Sequence, residues 1–429
     1  MSLVLLVVVL VTLGSGVWIF IGLLLAAFFS FFVLLGFPIA RVGSITVPVL
    51  IQSVFSFELA AVPLFIWMGE IIGGTNLSTK LFAGIAPWVS RLPGGLLHAN
   101  VGGSVMFSAL SGSSVATTAT IGKVTTRELT QRGYNPSLIY GSIAVAVTIG
   151  IMIPPSITLI VYGLVAQVSV AKLFAAGVFP GLMLGALYSG YIIARCVISP
   201  ELSPPQKDHF TWRDRMRGLV NLLPVTLLIL FLMGSIYGGF ATPSESAAVG
   251  VLGAVVIAAF SGGLTVAGLY RSAMSAIMTT AMIGSALAAA ALLTTAVGFM
   301  HLPQLLAEGI GALDLSPMQL LALLTLVYIL LGTVLDGIPL VLMTVPVTLP
   351  LMLMAGFDPI WVGIYIVLMV EIAIVSPPVG FNLFVLRSIT GASISTISMA
   401  ALPFVFMMLV GLVLLAAFPQ IALWLPSQM

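Results

Sequence analysis

The chain has 429 residues, of which 60% are hydrophobic and 6% charged, and its formal net charge is +2. Its mean hydropathy is +1.26. A soluble domain carries about 25% charged residues, so so few charges exclude a water-soluble fold and leave lipid as the solvent. Only helices and closed barrels satisfy their backbone in lipid. Barrel strands alternate apolar and polar residues. Here the apolar runs are nearly continuous, as at residues 3–11, 17–35 and 222–232. An all-α polytopic membrane protein is therefore expected, with roughly ten to twelve spans plus shorter half-crossing pieces. The basic residues are scattered among apolar runs, which gives no case for nucleic acid. The single cysteine, Cys196, excludes an internal disulfide.

In chain order, the first segment is apolar, and no basic residue precedes Arg41. A cleaved signal peptide needs a positive n-region, so this segment reads as a retained transmembrane helix. Glu58 and Glu70 flank a span and suit either an interface or a subunit contact. Residues 110–122 (LSGSSVATTATIG) are dense in Ser, Thr and Gly between hydrophobic segments. Glycine lets backbone leave helical geometry. Bared carbonyls and hydroxyls can then replace a cation's water shell, and helix N-termini favour an anion. Close packing of helices through small residues is the competing explanation. Lys123, Arg127 and Arg132 form a basic cluster just beyond.

Residues 148–157 (TIGIMIPPSI) end an apolar run in two prolines, which a regular helix cannot hold. A discontinuous helix or a simple kink follows. The one strongly polar stretch, residues 199–217, holds Lys207, Arg213, Arg215 and Arg217. It divides the chain into an N-terminal membrane half (1–198), a linker (199–217) and a C-terminal membrane half (218–429), and its basic excess places the linker in the cytoplasm. Residues 242–249 (TPSESAAV) read as a helix start with Glu245 in the first turn. Residues 331–339 (LGTVLDGIP) put Asp336 in an apolar region, where a carboxylate is costly unless it faces a cavity or a cation; a turn at the membrane interface is the alternative. Residues 371–382 (EIAIVSPPVGFN) restate the double proline and add Asn382, which can bind a ligand or cap the restarted helix.

The chain repeats itself weakly. Gly-Tyr-Asn-Pro at 133–136 matches Gly-Phe-Asp-Pro at 356–359, and Pro154-Pro155 matches Pro377-Pro378, both at an offset of 223 residues (133 to 356, 154 to 377). The same offset sets Ser113 opposite Asp336 and Thr148 opposite Glu371. Internal repeats in a polytopic chain mark secondary transporters. No Walker motif, Ser–His–Asp arrangement or ligand spacing among His98, His209 and His301 is present, so the chain reads as neither an ATPase nor an enzyme. An intramembrane enzyme would have only Glu371 with Asp336 to work with. A channel would need a polar ring in a symmetric pore.

Residues 111–122, followed by Arg-Gly-Tyr at 132–134 and Ile-Pro-Pro-Ser at 153–156, resemble the large subunit of tripartite ATP-independent periplasmic (TRAP) transporters. Residues 173–177 (LFAAG), 180–181 (PG), 242–249 and 376–384 (SPPVGFNLF) extend the resemblance from about residue 35 to the C-terminus. The resemblance implies a bacterial inner-membrane importer of an organic acid, such as a C4-dicarboxylate or sialic acid, driven by a sodium gradient. It implies two partners, a periplasmic substrate-binding protein and a small four-helix membrane subunit. This chain begins almost at its first large-subunit helix, so that subunit is expected on a separate chain.

The implied architecture is an elevator with inverted repeats. Two re-entrant hairpins would have tips near 111–118 and 335–339, and two discontinuous helices would break at 150–156 and 376–382. The resemblance further implies one sodium at Ser113, Ser114 and the backbone around Pro154. A second would sit at Gly332, Asp336 and the backbone around Pro377, with the substrate between them near Ser111, Thr117, Ser156 and Asn382. No arginine lies in these motifs. A stand-alone sodium/carboxylate symporter of the same plan is the alternative.

Overall fold

The computed structural model describes residues 4, 8, 11–12, 17–204, 210–261, 264–301, 315–333, 335, 337–376 and 380–429. Among them the chain is helical, with no β-strand. Most of the first apolar run lies outside the described residues. Six helices are long and apolar enough to cross a membrane, or up to eight if each of two bent pairs counts as one span. These are counts among the described residues, and shorter apolar helices such as Pro317–Gly332 and Pro359–Val375 stand beside them.

The N-terminal region contributes α1 (Ile19–Phe29), α2 (Ile39–Val54), α3 (Ala61–Gly73) and α4 (Leu77–Val89). A helical hairpin follows, α5 (Leu96–Ser111) and α6 (Ser114–Gln131). Next comes an interrupted helix, made of α7 (Pro136–Ala146) with the single turn α8 (Ile149–Met152), then α9 (Ile157–Ala166). Its two arms are bent by 44°. The long α10 (Val170–Ile198) leads to the polar stretch. There α11 (Trp212–Tyr237) begins on a capping box between Thr211 and Asp214, so Arg213, Arg215 and Arg217 lie in its first turns.

The second half continues with α12 (Pro243–Ser261) and the 34-residue α13 (Val266–Phe299). Thr242 and Glu245 cap each other at the start of α12, as the motif there implies. A second helix pair follows, α14 (Pro317–Gly332) and α15 (Gly337–Met354). Then come α16 (Pro359–Val375), α17 (Phe381–Thr390), α18 (Ile394–Ala417) and the short α19 (Gln420–Leu423).

The repeat seen in sequence recurs in helix boundaries. α6 and α15 begin 223 residues apart (114 and 337), as do α7 and α16 (136 and 359). The Gly-x-Asn/Asp-Pro landmark explains itself physically. Gly133 (φ 82°) and Gly356 (φ 88°) take the left-handed conformation that stops one helix. Asn135 and Asp358 then accept backbone N–H groups of the next helix, and Pro136 and Pro359 occupy its first position.

The Tyr162 hydroxyl in α9 donates to the Pro359 carbonyl at 2.6 Å. The last arm of the first interrupted helix thus lies beside the start of α16, and the two run in opposite directions. The halves interleave rather than sit apart: Gly141 of α7 meets Ala400 and Phe404 of α18, and Gly122 of α6 meets Leu386 and Ile389 of α17.

The core is centred on α16, buried at every residue from Trp361 to Val375. A helix apolar all round belongs at the centre of a bundle. Trp361 stacks between Phe357 and Tyr365 and donates its indole N–H to the Leu415 carbonyl at 3.1 Å. The outer helices instead present large apolar side chains outward, as at Leu223, Leu227, Leu230 and Phe231 of α11 and Phe406 and Val413 of α18, which suits a lipid surround. Trp361→Ala should destabilise the folded protein by about 3–5 kcal/mol, as other large core truncations do. Trp361→Phe keeps the stack, loses one hydrogen bond and should cost about 1 kcal/mol. Denaturation midpoints in lipid nanodiscs check the pair.

Candidate functional site

The first hairpin turns at Gly112, whose φ of 61° is open to glycine and strained for other residues. Ser111 ends α5 and Ser113 caps α6, its hydroxyl accepting the Ala116 N–H at 3.2 Å. The tip is tied internally. Ser111 Oγ lies 2.8 Å from Thr117 Oγ1 and donates to the Ser113 carbonyl at 3.2 Å. Thr117 also donates to that carbonyl at 2.8 Å. Ser114 is buried, and its carbonyl accepts from the Thr118 hydroxyl at 2.7 Å. The structure therefore brings Ser111, Ser113, Ser114 and Thr117 together in one turn.

This tip rests on the first helix break. A side chain on Gly112 would press on Ile157, the first residue of α9. The helix stops at Met152, Ile153 is extended, and α9 restarts under a Ser156 cap that accepts the Leu159 N–H at 3.2 Å. Ser156 also donates back to the Ile151 carbonyl. Pro154 is buried at the break.

The second pair is arranged alike. Gly332 lies against Ala373, and Gly337 lies against Val370 and Ile374, so the α14–α15 turn rests on the last turns of α16. The Tyr328 hydroxyl ties the two arms through Thr344 (2.8 Å) and Thr348 (3.0 Å). α16 stops at Val375, and the Gly380 N–H donates to the Ser376 carbonyl at 3.1 Å across the break. Asp336 and Pro377 lie outside the described residues. Asn382, in the first turn of α17, is fully buried, and among the described residues its side-chain amide oxygen and nitrogen both lack a partner. A hydrogen-bonding side chain in that state is poised for a ligand or an ordered water.

A cleft of about 670 Å³ is lined by the first tip, α3 and α13, with Ser111 packed on Gly69 of α3 at its wall. Ser111 and Ser113 line it from the tip, Glu70 from α3, and Arg271 and Thr279 from α13. Its size is that of a small-molecule site. Arg271 is half of what sequence reasoning missed. It stands in the first two turns of a long apolar helix, where a basic residue looks like topology alone. Only the fold makes it a lining residue of the same cleft as the Ser/Thr-rich tip, with its Nε donating to the Ala267 carbonyl at 3.3 Å. Glu70, read as an interfacial acid, is the other half. A second, smaller cleft lies between α2, α9 and α13, lined by Gln52, Gln167, Thr294 and Thr295. Arg271 and Thr294 stand about 35 Å apart along α13 at 1.5 Å per residue, so the clefts open toward opposite ends of one helix.

Comparison with known proteins identifies the family. Residues 5–421 match the family described as tripartite ATP-independent periplasmic transporter, DctM component. The chain is 32% identical over 386 residues to the C4-dicarboxylate TRAP transporter large permease protein of Pseudomonas aeruginosa, covering 86% of each chain. It is 31% identical over 406 residues to the ectoine/5-hydroxyectoine TRAP transporter large permease protein of Ruegeria pomeroyi, covering 94% of each. It is also 31% identical over 415 residues to the isethionate TRAP transporter permease protein of Oleidesulfovibrio alaskensis. That match takes in 95% of this chain and spans 64% of the relative's length. In fold, the chain resembles the Alcanivorax borkumensis YdaH transporter, with a TM-score of 0.62 at 17% identity over 87% of this chain and 86% of that one. The chain belongs to the DctM family of TRAP transporter large permeases, which are membrane transporters and not enzymes.

Proposed function

We propose that this chain is the membrane-embedded large subunit of a sodium-driven importer of a small organic acid. It works as an elevator in the bacterial inner membrane, with a small four-helix membrane subunit and a periplasmic binding protein. The observation that carries the reading is the cleft lined by both Arg271 and the Ser/Thr-rich hairpin tip. The relatives' named substrates, C4-dicarboxylate, ectoine and isethionate, all bear a carboxylate or a sulfonate. A guanidinium pairs with such groups by two parallel hydrogen bonds.

Orientation follows from charge. Arg195, Arg213, Arg215 and Arg217 flank the linker, and Lys123, Arg127 and Arg132 lie at the far end of α6 from its tip. The positive-inside rule puts both groups in the cytoplasm. The Arg271 cleft then faces inward and the Gln52–Gln167 cleft outward. An elevator would carry the hairpin tips past α13 from one cleft to the other.

In this reading one sodium takes Ser113, Ser114 and carbonyls around Pro154. The other takes Gly332, Asp336 and carbonyls around Pro377. The acid lies near Ser111, Thr117, Ser156 and Asn382. Asn382 is the best provided of these, since among the described residues its amide has no competing bond. The hydroxyls of Thr117 and Ser156 already have partners and would have to share them.

The test is uptake of labelled carboxylates and sulfonates into proteoliposomes holding this chain and its small subunit. Uptake should require both an inward sodium gradient and the binding protein. Ser113→Ala and Asp336→Ala should abolish it without preventing assembly. Normal sodium-driven uptake in both variants would remove the ion assignment, and uptake without the binding protein would indicate a stand-alone symporter. Arg271→Gln should raise KM for the acid about tenfold, the loss of one charge-assisted hydrogen bond. Arg271→Lys should recover part of it, and an unchanged KM in Arg271→Gln would take the arginine out of the site.

A further inference from the structure

Glu371 has no part in the transport reading, yet it is the one fully buried acid among the described residues. It lies in the last third of α16, and among the described residues neither carboxyl oxygen has a partner of hydrogen-bonding geometry. A lone carboxylate anion in such a place would lose its hydration with nothing in return. The group beside it is the Thr148 hydroxyl, at the junction of α7 and α8. The same hydroxyl neighbours Tyr188 of α10, which is also fully buried and whose phenol oxygen is also unpartnered.

The proton count decides what this cluster is. Thr148 gives its single proton to the Val145 carbonyl at 2.9 Å. Toward Glu371 and Tyr188 it therefore offers only lone pairs. A carboxylate facing those lone pairs would be an acceptor against an acceptor. The contact becomes favourable when the carboxyl brings its own hydrogen.

Compensating charge is absent among the described residues packed on α16. α8, α15, α18 and α19 carry no ionisable side chain. Lys172 and Arg195 of α10 and Arg387 of α17 are exposed near their helix ends. Tyr162 and Tyr365 have partners elsewhere, as does Tyr328. Tyr191, one turn on from Tyr188, is half-buried against Phe404, and Tyr140 of α7 and Cys196 of α10 stand about two turns away from Thr148 and Tyr188. Among the described residues that leaves Tyr188 as the ionisable side chain facing Glu371.

We propose that Glu371 is a proton-binding site: it is carried as the neutral acid, its O–H donating to Thr148 Oγ1, and the bound proton joins α8, α10 and α16 at the centre of the bundle. A metal cation would need several oxygens around it, whereas a proton needs one donor and one acceptor in contact. The position fits a structural pin. Thr148 and Glu371 are counterparts at the repeat offset of 223, and in two units related by a two-fold only positions on the axis touch their own counterparts. The proton therefore sits where the two repeats meet, beside the turns on which the hairpins rest, and stays through the transport cycle. This holds whichever ion drives transport.

Infrared spectroscopy of the complex in nanodiscs tests the assignment directly. The wild type minus Glu371→Gln difference spectrum should show the C=O stretch of a protonated carboxyl group. It should be present and unchanged at every pH at which the complex transports. Thr148→Val, which removes the acceptor, should shift that band to higher frequency. Glu371→Gln keeps a neutral donor and should take up substrate within about twofold of wild type with an unchanged pH profile, while Glu371→Ala should not. A missing band, or one that titrates in step with uptake, overturns the proposal, because Glu371 would then be ionised at rest or release its proton during transport. If Glu371→Gln does not assemble, the wild-type pH series and the Thr148→Val shift decide alone: a band that titrates or does not shift overturns it.

Discussion

In hydrocarbon there is no water to satisfy a bare backbone N–H or C=O, and everything unusual in this fold answers to that constraint. The helices are nonetheless interrupted deep in the bundle, at 112–113 and at 153–156. Each restart is sealed by its own sequence. Ser113 caps α6 and Ser156 caps α9, and Ser156 also reaches back across the break to the Ile151 carbonyl. Ser156 is fully buried at its break, whereas Ser113 opens onto the cleft. Ser113 does both, holding the first turn of α6 while lining the cleft. Stability and binding draw on the same atoms, so a ligand here competes with or completes an existing cap.

The second consequence is geometric. Each hairpin turn rests on the broken helix of its own repeat, through Gly112 and Ile157 in one and Gly332 and Ala373 in the other. Close glycine contacts of this kind let tip and break move as one body. α13 stands against them as a rail with a cleft at each end. The central α16 belongs to the moving part in this account, and its lack of any exposed residue from Trp361 to Val375 makes that part rigid enough to carry a site without distorting it.

Much of this was legible in the sequence, and for identifiable reasons. Double prolines cannot continue a helix, so the break at Pro154 could be placed to within a few residues. The Gly-x-Asn/Asp-Pro pair encodes a helix stop and start in four residues, and its recurrence set the register of the repeat. The Ser/Thr/Gly run located the first tip. Arg271 was not legible as a lining residue, because nothing local distinguishes a charge that faces a cleft from one that faces the membrane surface. The number of full crossings was not legible, because hydropathy does not separate a half-length helix from a spanning one. The pairing of Thr148 with Glu371 was visible as an offset in sequence. That the two touch, and that Tyr188 of α10 joins them, required three helices to be brought together. The roles of Asp336 and Pro377 rest on sequence alone, since both lie outside the described residues.

The central claim is that the hairpin tip moves past α13 as one body between two clefts. Cys196 is the single native cysteine and is buried, so a spin-label pair at Ala119, beside the tip, and Thr279, on the facing wall of the cleft, can be read without interference. The distance between the labels would be measured by pulsed electron resonance in nanodiscs, with and without sodium and substrate. The account predicts two distance populations separated by more than one helical turn, about 5 Å, with their ratio set by the ligands. A single unchanging distance under every condition would contradict it.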